Sequence, residues 1–492
     1  MVLDRLRPLP RSARSPSAVD LETSKPLKDA FGSRIDNDTD EDSDDSQLVT
    51  FPPQANTLLL SSFSRLSHRT STNASYRTCR MGPRGFKLKV TGRSFRTLSL
   101  ILLSIFGILA LFLFPWRKPR SDLDLRQLRT LENPLDPLAL HNLSAPDGSI
   151  YASFLGVGAT VQSLLVKDRW GAFRDIVLGF DNASEYLNNP INPRFGSIVG
   201  RYANRIKNCS FTMPGNPSQV YHTTPNDHEG LDTLHGGKPG WDLRPFKVEV
   251  KNLSYIAFSL IDGDGEQGFP SQVFSKVEYE LLPGAKWKTK ISATAGGKTP
   301  LMASSHVYWN LDAYMADEPA SEHFLQLNAP LHILVDGFLI PTGKIESVAK
   351  TPLDFTQATR IGARLNQTEG LCGKGCKGYD NAFVYDTSRS LNAPAMHLWS
   401  EKSGIKMSVT TDQLGVQLYT CNNIHSDNSS IKPIPRKRSQ TNLKAIYENH
   451  SCVVIEQQGF IDAINNPHWQ IDSIYGPDRP YEWNSVYEFS VT

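Results

Sequence analysis

The imidazole of His306 is the first candidate for proton-transfer chemistry in this chain. It lies within residues 299–311 (Thr-Pro-Leu-Met-Ala-Ser-Ser-His-Val-Tyr-Trp-Asn-Leu), close to the rings of Tyr308 and Trp309. Histidine changes its protonation state near neutral pH, so an imidazole in a cleft can serve as a general acid. A buried histidine beside aromatic rings is more often a hydrogen-bonded core residue, and this stretch alone therefore does not establish catalysis.

Glu456 is the second candidate because it follows three apolar residues, Val-Val-Ile at 453–455. Partial burial beside such a run raises the pKa of a carboxyl group and makes its carboxylate a stronger base. The alternative interpretation is a salt-bridged strand residue. Several polar neighbours in the sequence favour the functional interpretation instead: Gln457, Gln458, Asp462 and Asn465.

The elements that must position these groups are short β-strands. Runs of β-branched and aromatic residues are separated by Gly, Pro, Asn and Asp, and some alternate apolar and polar residues, as in Val-Phe-Ser-Lys-Val-Glu-Tyr-Glu-Leu at 273–281. No long segment after residue 116 shows convincing helical periodicity. We therefore predict an all-β domain, a sandwich or a barrel, over residues 141–492. Other predicted strands cover 246–250, 255–260, 288–293, 404–410, 416–419 and 452–456.

Several further motifs occur in a defined order along the same region. They are Gly-Arg-Tyr-Ala-Asn-Arg-Ile at 200–206, Leu-His-Gly-Gly at 234–237, Gly-Tyr-Asp-Asn at 378–381, Gly-Val-Gln-Leu-Tyr-Thr at 415–420 and Ile-Glu-Gln-Gln at 455–458. In this order and spacing the chain resembles the galactose mutarotase (aldose 1-epimerase) family from about Ser149 onward. The resemblance implies a large antiparallel β-sandwich with a sugar cleft on one concave face. It also implies an enzyme that interconverts the α and β anomers of free hexoses such as galactose or glucose.

The resemblance assigns a role to each matching residue. Glu456 would remove the proton of the anomeric hydroxyl while His306 protonates the ring oxygen, which opens the ring without a cofactor or a metal. His235 would bind hydroxyls and help to polarise the ring oxygen. Tyr308, which we place in the site, or Trp309 would supply an apolar platform, since strand alternation forbids both from facing the cleft. The other implied sugar-binding residues are Asn204, Arg205, Asp380 and Gln417.

Some flanking positions depart from the residues usual in the family, and they bear on sugar preference more than on the reaction: Ser305, Asn381, Gln457 and Ile461. Two other function classes stay open. One is a carbohydrate-binding module on the same scaffold with weak or no catalysis. The other is a glycoside hydrolase that uses Glu456 and Asp380 as a carboxylate pair. The presence of both histidines favours the epimerase.

The first 140 residues have a different organisation, which the resemblance does not cover. Residues 1–96 are rich in Ser, Arg, Asp, Thr and Pro and are predicted to be a disordered tail. Residues 98–114 contain no charge and thirteen Leu, Ile or Phe, so we predict an uncleaved transmembrane signal anchor at 97–116. Seven Lys or Arg at 77–96 outnumber the three at 117–120, which predicts a cytoplasmic tail and a single-pass type II protein. Residues 117–140 would form a short stem.

Glycosylation sites and cysteines agree with this orientation. Asn-x-Ser/Thr sequons follow the predicted span at Asn142, Asn182, Asn208, Asn252, Asn366, Asn428 and Asn449. Five of the six cysteines also follow it, on the side expected to be oxidising. Cys372 and Cys376 could close a tight disulfide loop, and Cys421 and Cys452 could be neighbours. This cysteine spacing gives poor support for zinc, and we predict no metal. The domain would lie in the lumen of the endoplasmic reticulum or Golgi, or outside the cell.

The overall charge gives no reason to predict a charged partner. The formal net charge is +2 and the pI is about 8.1, so we predict no nucleic-acid partner; the expected partners are a sugar and a membrane. The sequence does not determine the oligomeric state. Residues 433–438 (Pro-Ile-Pro-Arg-Lys-Arg) are predicted to form an exposed loop with solvated charges. Cleavage after Lys437-Arg438 is a less favoured alternative.

Overall fold

The computed structural model describes residues 136–315, 319–425, 432–441 and 444–492. The predicted tail, the predicted transmembrane span and most of the predicted stem lie outside these residues. Within the described part of the chain, no helix combines the length and apolar composition needed to cross a bilayer. The last five stem residues, 136–140, contact the domain: Val157 donates its N–H to the carbonyl of Pro137 at 2.8 Å, and Leu138 packs against a buried cluster.

The described residues form an all-β domain, as the alternating runs and the resemblance predicted. The strands, in chain order, are β1 (His141–Ser144), β2 (Ile150–Leu155), β3 (Thr160–Lys167), β4 (Phe173–Asp175), β5 (Ile198–Val199), β6 (Arg205–Ile206), β7 (Ser210–Met213), β8 (Asn216–His222), β9 (Thr233–Leu234), β10 (Lys247–Lys251), β11 (Tyr255–Asp262), β12 (Val273–Leu282), β13 (Lys286–Ala295), β14 (Thr299–Pro300), β15 (Ser304–Ser305), β16 (Tyr308–Trp309), β17 (Phe324–Leu327), β18 (Leu331–Val335), β19 (Pro341–Ser347), β20 (Thr359–Arg360), β21 (Asp380–Val384), β22 (Met396–Trp399), β23 (Ile405–Thr411), β24 (Gly415–Tyr419), β25 (Val453–Gln458), β26 (Ile474–Tyr475) and β27 (Tyr481–Val491).

Among the residues that the structure describes, helices are short and occupy the connections between strands. One α-helical turn, α1, spans Glu185–Asn188. The 3-10 turns are Lys207–Cys209, His228–Gly230, Trp241–Leu243, Glu266–Gly268, Ala320–Glu322, Ile361–Gln367, Arg438–Gln440, Ala463–Asn465 and Pro467–Trp469. None of these segments is long enough to form a layer of its own, so the sheets build the domain.

Two large antiparallel sheets dominate the architecture. One has nine strands in the order β10-β11-β12-β13-β27-β23-β22-β17-β20, and the other has six in the order β16-β25-β24-β21-β18-β19. A four-stranded sheet, β1 to β4, and several two-stranded pairs complete the domain. The largest buried cluster takes residues from both large sheets, and the rings of Trp287 on β13 and Trp309 on β16 lie 6.1 Å apart within it. The two sheets therefore pack as a sandwich.

The predicted strands agree with the observed ones to within about two residues at each end. Strand β12 shows why, because its side chains alternate between buried and more accessible positions over Val273–Leu282. This pattern places one face on the core and leaves the other more accessible to solvent. The sequence of β12 therefore predicts which face of the strand packs on the core.

Two disulfide bonds form where the cysteine positions allowed them. Cys372 is bonded to Cys376, and Cys421 to Cys452. Both residues of the second pair are fully buried. Cys209 is a free cysteine, half-buried at the end of a 3-10 turn.

The prediction of an exposed loop with solvated charges at 433–438 is wrong for Arg436 and Lys437, although Pro433, Pro435 and Arg438 are exposed. Lys437 is buried, and its ammonium group bonds to a carboxylate oxygen of Asp175 at 2.6 Å and to the carbonyl of Gln162 at 2.9 Å. Arg436 is also buried, whereas Arg438 is exposed. The local charge run gave no sign of this, because the partners of Lys437 are more than 250 residues away in the chain. A buried lysine also removes the support for cleavage at this pair.

Candidate active site

The outer face of the six-stranded sheet carries a row of polar side chains. Glu456 on β25 pairs directly with Gln417 on β24, and Tyr419 on β24 pairs with Asp380 on β21. Because side chains alternate along a strand, Gln417 and Tyr419 share one face with Glu456 and Asp380. The intervening residues on these strands, such as Leu418, belong to the core cluster. One sheet therefore separates a hydrophobic core from a polar surface.

Loops surround this face and form a cavity of about 550 Å³ that is open to solvent on one side. Seven of the eight residues predicted for the site line it: Asn204, Arg205, His235, His306, Tyr308, Asp380 and Glu456. They come from five different strands or strand ends, and the first and last of them, Asn204 and Glu456, are more than 250 residues apart in the sequence. The tertiary fold thus assembles them into one site.

His306 is held by the backbone on both sides. Its N–H donates to the carbonyl of Ser197 at 2.9 Å, and its carbonyl accepts from the N–H of Gly196 at 3.0 Å. The ring of Tyr308 lies 5.1 Å from the imidazole, and its hydroxyl donates to the carbonyl of Pro193 at 2.7 Å. Trp309, the next residue, is fully buried in the core cluster. Strand alternation has therefore placed Tyr308 on the cavity wall and Trp309 behind it.

His235 and Asn204 lie on different segments and are joined by two hydrogen bonds. The N–H of His235 donates to the carbonyl of Asn204 at 3.0 Å, and the N–H of Asn204 donates to Nδ1 of His235 at 3.1 Å. Burial lowers the pKa of His235 well below its usual value, so the ring is neutral. With Nδ1 accepting a hydrogen bond, the ring proton is assigned to Nε2. His235 therefore offers a hydrogen-bond donor.

His306 and Glu456 form a close, buried acid–base pair. Nε2 of His306 lies 3.8 Å from Oε1 of Glu456, and the two residues are 6% and 3% exposed. Burial, reinforced by the positive charge of Arg194, lowers the pKa of His306 to about 3. Burial and the nearby Asp380 carboxyl raise the pKa of Glu456 to about 8. At neutral pH the empty pair therefore holds one proton, and that proton is on Glu456.

Glu456 also has an unused hydrogen-bonding atom. Its Oε2 is buried and has no hydrogen-bond partner among the described residues. A buried polar atom without a partner is costly, and in a cavity a bound ligand can satisfy it. The guanidinium groups of Arg205 and Arg194 partly oppose the effect of burial and favour the ionised carboxylate.

Gln417 does not line the cavity, which differs from its predicted role as a sugar ligand. Its amide nitrogen donates to Oδ1 of Asp380 at 2.6 Å. Burial raises the pKa of Asp380, while Arg205 and this hydrogen bond lower it. Gln417 sits behind Asp380 and orients it, so its observed contact is that of a positioning residue.

Arg205 is oriented by an ion pair of its own. Its Nε donates to Oδ2 of Asp227 at 2.9 Å. The same motif contains Arg201, which is buried and bonds to Asp262 at 2.9 Å and to the carbonyls of Gly263 and Pro270 at 3.0 Å. The motif therefore supplies one arginine to the cavity and one to the scaffold.

Sequence reasoning missed several residues of the cavity wall. Tyr419 lies two positions after Gln417, so strand periodicity could have identified it. Arg194 reaches the cavity from a turn with a φ of 70°, and Nε of Arg194 lies 3.4 Å from a carboxylate oxygen of Asp242. Phe338 comes from the loop between β18 and β19. Neither of these two residues belongs to a periodic segment or a motif.

A metal does not fit the donor atoms well, although three potential ligands are close together. Donor atoms of His235, His306 and Glu456 all lie within 4.8 Å of one another. The Nε2 atom of His235 carries the ring proton and is therefore not free to coordinate an ion. Shifting the proton to Nδ1 would set two N–H groups against each other at Asn204. The arrangement suits proton transfer and hydrogen bonding to a polyol better than metal binding.

Comparison with known proteins gives a consistent result. A family model described as aldose 1-epimerase matches residues 142–488. The chain is 35% identical over 383 residues to a probable aldose 1-epimerase of Arthroderma benhamiae, covering 70% of this chain and 84% of that protein. It is 31% identical over 358 residues to a galactose mutarotase of Bos taurus, covering 73% of this chain and 96% of that protein. A crystal structure of an aldose epimerase homologue from C. elegans superposes with a TM-score of 0.62 at 29% identity, covering 72% of this chain and 99% of that one.

Proposed function

Because this chain belongs to the aldose 1-epimerase family, we propose that Glu456 and His306 interconvert hexose anomers by passing one proton to the sugar while another leaves it. The protein is an aldose 1-epimerase, an isomerase acting on carbohydrates. The observation that supports the proposed roles is the pair itself, two buried titratable groups 3.8 Å apart on one cavity wall.

Ring opening needs a base and an acid at the same time. The Glu456 carboxylate takes the proton of the anomeric hydroxyl, the C1–O5 bond breaks, and the ring oxygen receives a proton from the His306 imidazolium. Rotation about C1–C2 turns the other face of the aldehyde toward O5, and reversal of both proton transfers closes the opposite anomer. Neither a covalent intermediate nor a hydride transfer is involved.

The protonation of the pair changes during this cycle. After ring opening the proton is on Glu456 and the imidazole is neutral, which is the arrangement that burial favours in the empty cavity. The closed sugar must favour the opposite arrangement. Hydroxyl donors at the unpartnered Oε2 of Glu456, together with Arg205 and Arg194, stabilise the carboxylate. The cavity thus favours one protonation state of Glu456 and His306 with the closed sugar and the opposite state with the open sugar.

The remaining residues orient the sugar. His235 donates from Nε2, Arg205 donates from its guanidinium, and Asp380 accepts hydroxyl hydrogens, so the site offers donors and acceptors on different sides. The Tyr308 ring beside His306 provides apolar contact for a sugar face. Such a set holds the anomeric centre against Glu456 and His306.

Polarimetry of freshly dissolved α-D-galactose and α-D-glucose tests this proposal. Full-length protein in detergent should accelerate the approach to anomeric equilibrium, and Glu456→Gln should abolish the acceleration. The matched control is Glu482→Gln, which removes an exposed carboxylate on β27, in the nine-stranded sheet, that does not line the cavity. A nitrophenyl galactoside tested in parallel would detect hydrolysis, and its cleavage, with no effect on anomer exchange, would support the hydrolase alternative instead.

The anchoring and orientation of the domain are part of the proposal. The apolar run at 98–114, with more basic residues before it than after it, supports a type II anchor that places the domain in the secretory lumen or outside the cell. Of the six described sequon asparagines after this run, five are exposed: Asn182, Asn208, Asn252, Asn366 and Asn449. Two disulfides fit an oxidising compartment.

Protease protection and deglycosylation test this orientation in sealed microsomes. The domain should be protected from added protease unless detergent is present, and its mobility should shift after removal of N-linked glycans. A domain that is digested without detergent and carries no glycans would contradict the proposed orientation.

A further inference from the structure

The cavity is larger than a single hexose requires. A hexose has twelve non-hydrogen atoms, and even at the volume of one liquid water per atom, ~30 Å³, it would fill at most roughly 360 Å³. The cavity has about 550 Å³. The inner end, with His306 and Glu456, accommodates the reacting sugar, and substantial space remains toward the outer end.

The outer end is walled by side chains suited to a sugar ring. Phe338 lines the cavity and is 52% exposed, so its ring is accessible to a ligand. The His228 ring lies edge-on to it, with the centroids 5.3 Å apart. Lys374, next to Gly337, and Asn423 also line the cavity and supply polar groups. An aromatic face with polar neighbours matches the apolar face and hydroxyl rim of a pyranose.

This outer wall is held in place by several contacts. Asp336 caps the turn that carries Phe338, accepting from the N–H of Phe338 at 2.8 Å. The facing loop is closed by the Cys372–Cys376 disulfide, and the N–H of Lys374 donates to the carbonyl of Gly337 at 3.0 Å. Asn381, one of the positions that departs from the family pattern, donates from its amide to the carbonyl of Leu371 at 2.9 Å. A wall fixed before binding loses little entropy on binding.

The outer wall is also continuous with the inner site. His228 Nδ1 lies 3.4 Å from Oδ2 of Asp227, and the same oxygen bonds to Arg205 at 2.9 Å. Arg205 lines the inner cavity with Glu456. A ligand that spans both ends would therefore follow one connected surface.

We propose that the outer end is a subsite for a second sugar ring, so that the preferred substrate is the reducing end of a disaccharide or longer saccharide rather than a free monosaccharide. The reducing hexose lies against His306 and Glu456, and the ring attached to one of its non-anomeric oxygens stacks on Phe338. This inference rests on the proposed function for the inner site, whereas the outer contacts can be tested without catalysis.

The experiment compares α-lactose with α-D-glucose, which is the reducing unit of lactose, on the full-length protein. Polarimetry gives kcat/KM, and titration calorimetry gives Kd. Wild type should prefer lactose by about fivefold or more in both quantities, a size typical of one aromatic stacking contact. Phe338→Ala should remove that preference and leave the values for glucose within about twofold. Phe338→Tyr should retain it.

The control variant is Phe274→Ala, which removes a similarly exposed ring from β12, in the other large sheet. It should leave the lactose preference unchanged. Equal Kd for lactose and glucose in wild type, or a lactose preference that survives in Phe338→Ala, would overturn the subsite. A lactose preference in Kd that depends on Phe338 would support the subsite even if neither sugar were epimerised, and that result would refute the proposed function alone.

Discussion

The cavity and the segment at 432–441 both bury charged groups, but they treat them in opposite ways. Lys437 bonds to Asp175 at 2.6 Å and to the carbonyl of Gln162 at 2.9 Å. Gln440 beside it donates to the carbonyls of Asp175 and Val177 at 2.8 Å and accepts from the hydroxyl of Tyr447 at 2.7 Å. Every one of these polar side chains has a partner.

In the cavity, by contrast, one oxygen of a buried charged group lacks a partner. Oε2 of Glu456 is buried without a hydrogen bond among the described residues. Burial raises the pKa of Glu456 to about 8. The Nε2 atom of His306 lies 3.8 Å from the Glu456 carboxylate, whereas the Lys437 ammonium group lies 2.6 Å from that of Asp175. A buried charge that has a partner therefore indicates a structural role, whereas a buried charge without a partner in a cavity indicates a ligand-binding or catalytic role. Substitutions in the two regions should therefore affect different properties.

The largest effect should come from His306→Asn in the cavity. Loss of the general acid should lower kcat for galactose by about 10²- to 10⁴-fold. The Kd for galactose should stay within about threefold, because the proposed hydroxyl ligands Asp380, Arg205 and His235 remain. Polarimetry and calorimetry measure the two quantities. His397→Asn, on β22, is the control and should change neither; a parallel loss of binding in His306→Asn would refute the acid role.

Lys437→Met should have the opposite effect, lowering stability rather than activity. It leaves Asp175 buried without its cation, which should lower the free energy of unfolding by about 3–5 kcal/mol. The activity per folded molecule should be unchanged. Denaturant unfolding and polarimetry measure the two quantities, and Arg438→Met, at the exposed neighbouring position, should fall within about 0.5 kcal/mol of wild type. Equal stabilities for the two variants would show that the buried pair does not stabilise the domain.

Removal of the two disulfide bonds should lower the stability of the domain by different amounts. The Cys421–Cys452 bond closes a loop with a sequence separation of 31 that contains the 432–441 segment, whereas Cys372–Cys376 has a separation of four. By loop-closure entropy, the double Ser variant of the first pair should lose about 4 kcal/mol and that of the second about 2 kcal/mol. Thermal unfolding of both variants provides the measurement. A larger loss from the short loop would contradict the entropic account.

The most gradual predicted effect concerns the pH dependence of stability, because it is spread over several pH units. The pKa of Glu456 is raised in the folded protein, so its stabilising contribution is present below its usual value of 4.5 and is lost as pH rises toward about 8. Glu456→Gln has no such titration. The stability of wild type relative to Glu456→Gln should therefore fall between pH 5 and 8, by at most about 1.4 kcal/mol per pH unit. A flat difference over this range would mean that Glu456 is ionised at neutral pH.

The strands were predictable because their information is local. Alternation in β12 indicates both its extent and its buried face, and in the β16 pair it limits the cavity to either Tyr308 or Trp309. The motifs also located seven of the eight residues expected in the site, all of which lie on strands or next to strand ends.

The remaining features depend on contacts between distant parts of the chain. The sequence predicts a solvated Lys437 because its partner Asp175 is 262 residues away, and no local pattern reveals that pairing. Arg194 and Phe338 reach the cavity from non-periodic turns, so only the fold brings them there. Gln417 was placed on the correct strand, but its short bond to Asp380 depends on side-chain geometry that a motif does not contain.

The most direct test of this account is the infrared difference spectrum between wild type and Glu456→Gln, recorded without sugar as a function of pH. The difference isolates the carboxyl group of Glu456 from the other buried acids. The account predicts the carbonyl band of a protonated carboxylic acid at pH 6, which disappears with a midpoint near pH 8. A carboxylate signal at pH 6 would show that the empty site does not keep its proton on Glu456, and it would contradict the proposed balance between the two residues.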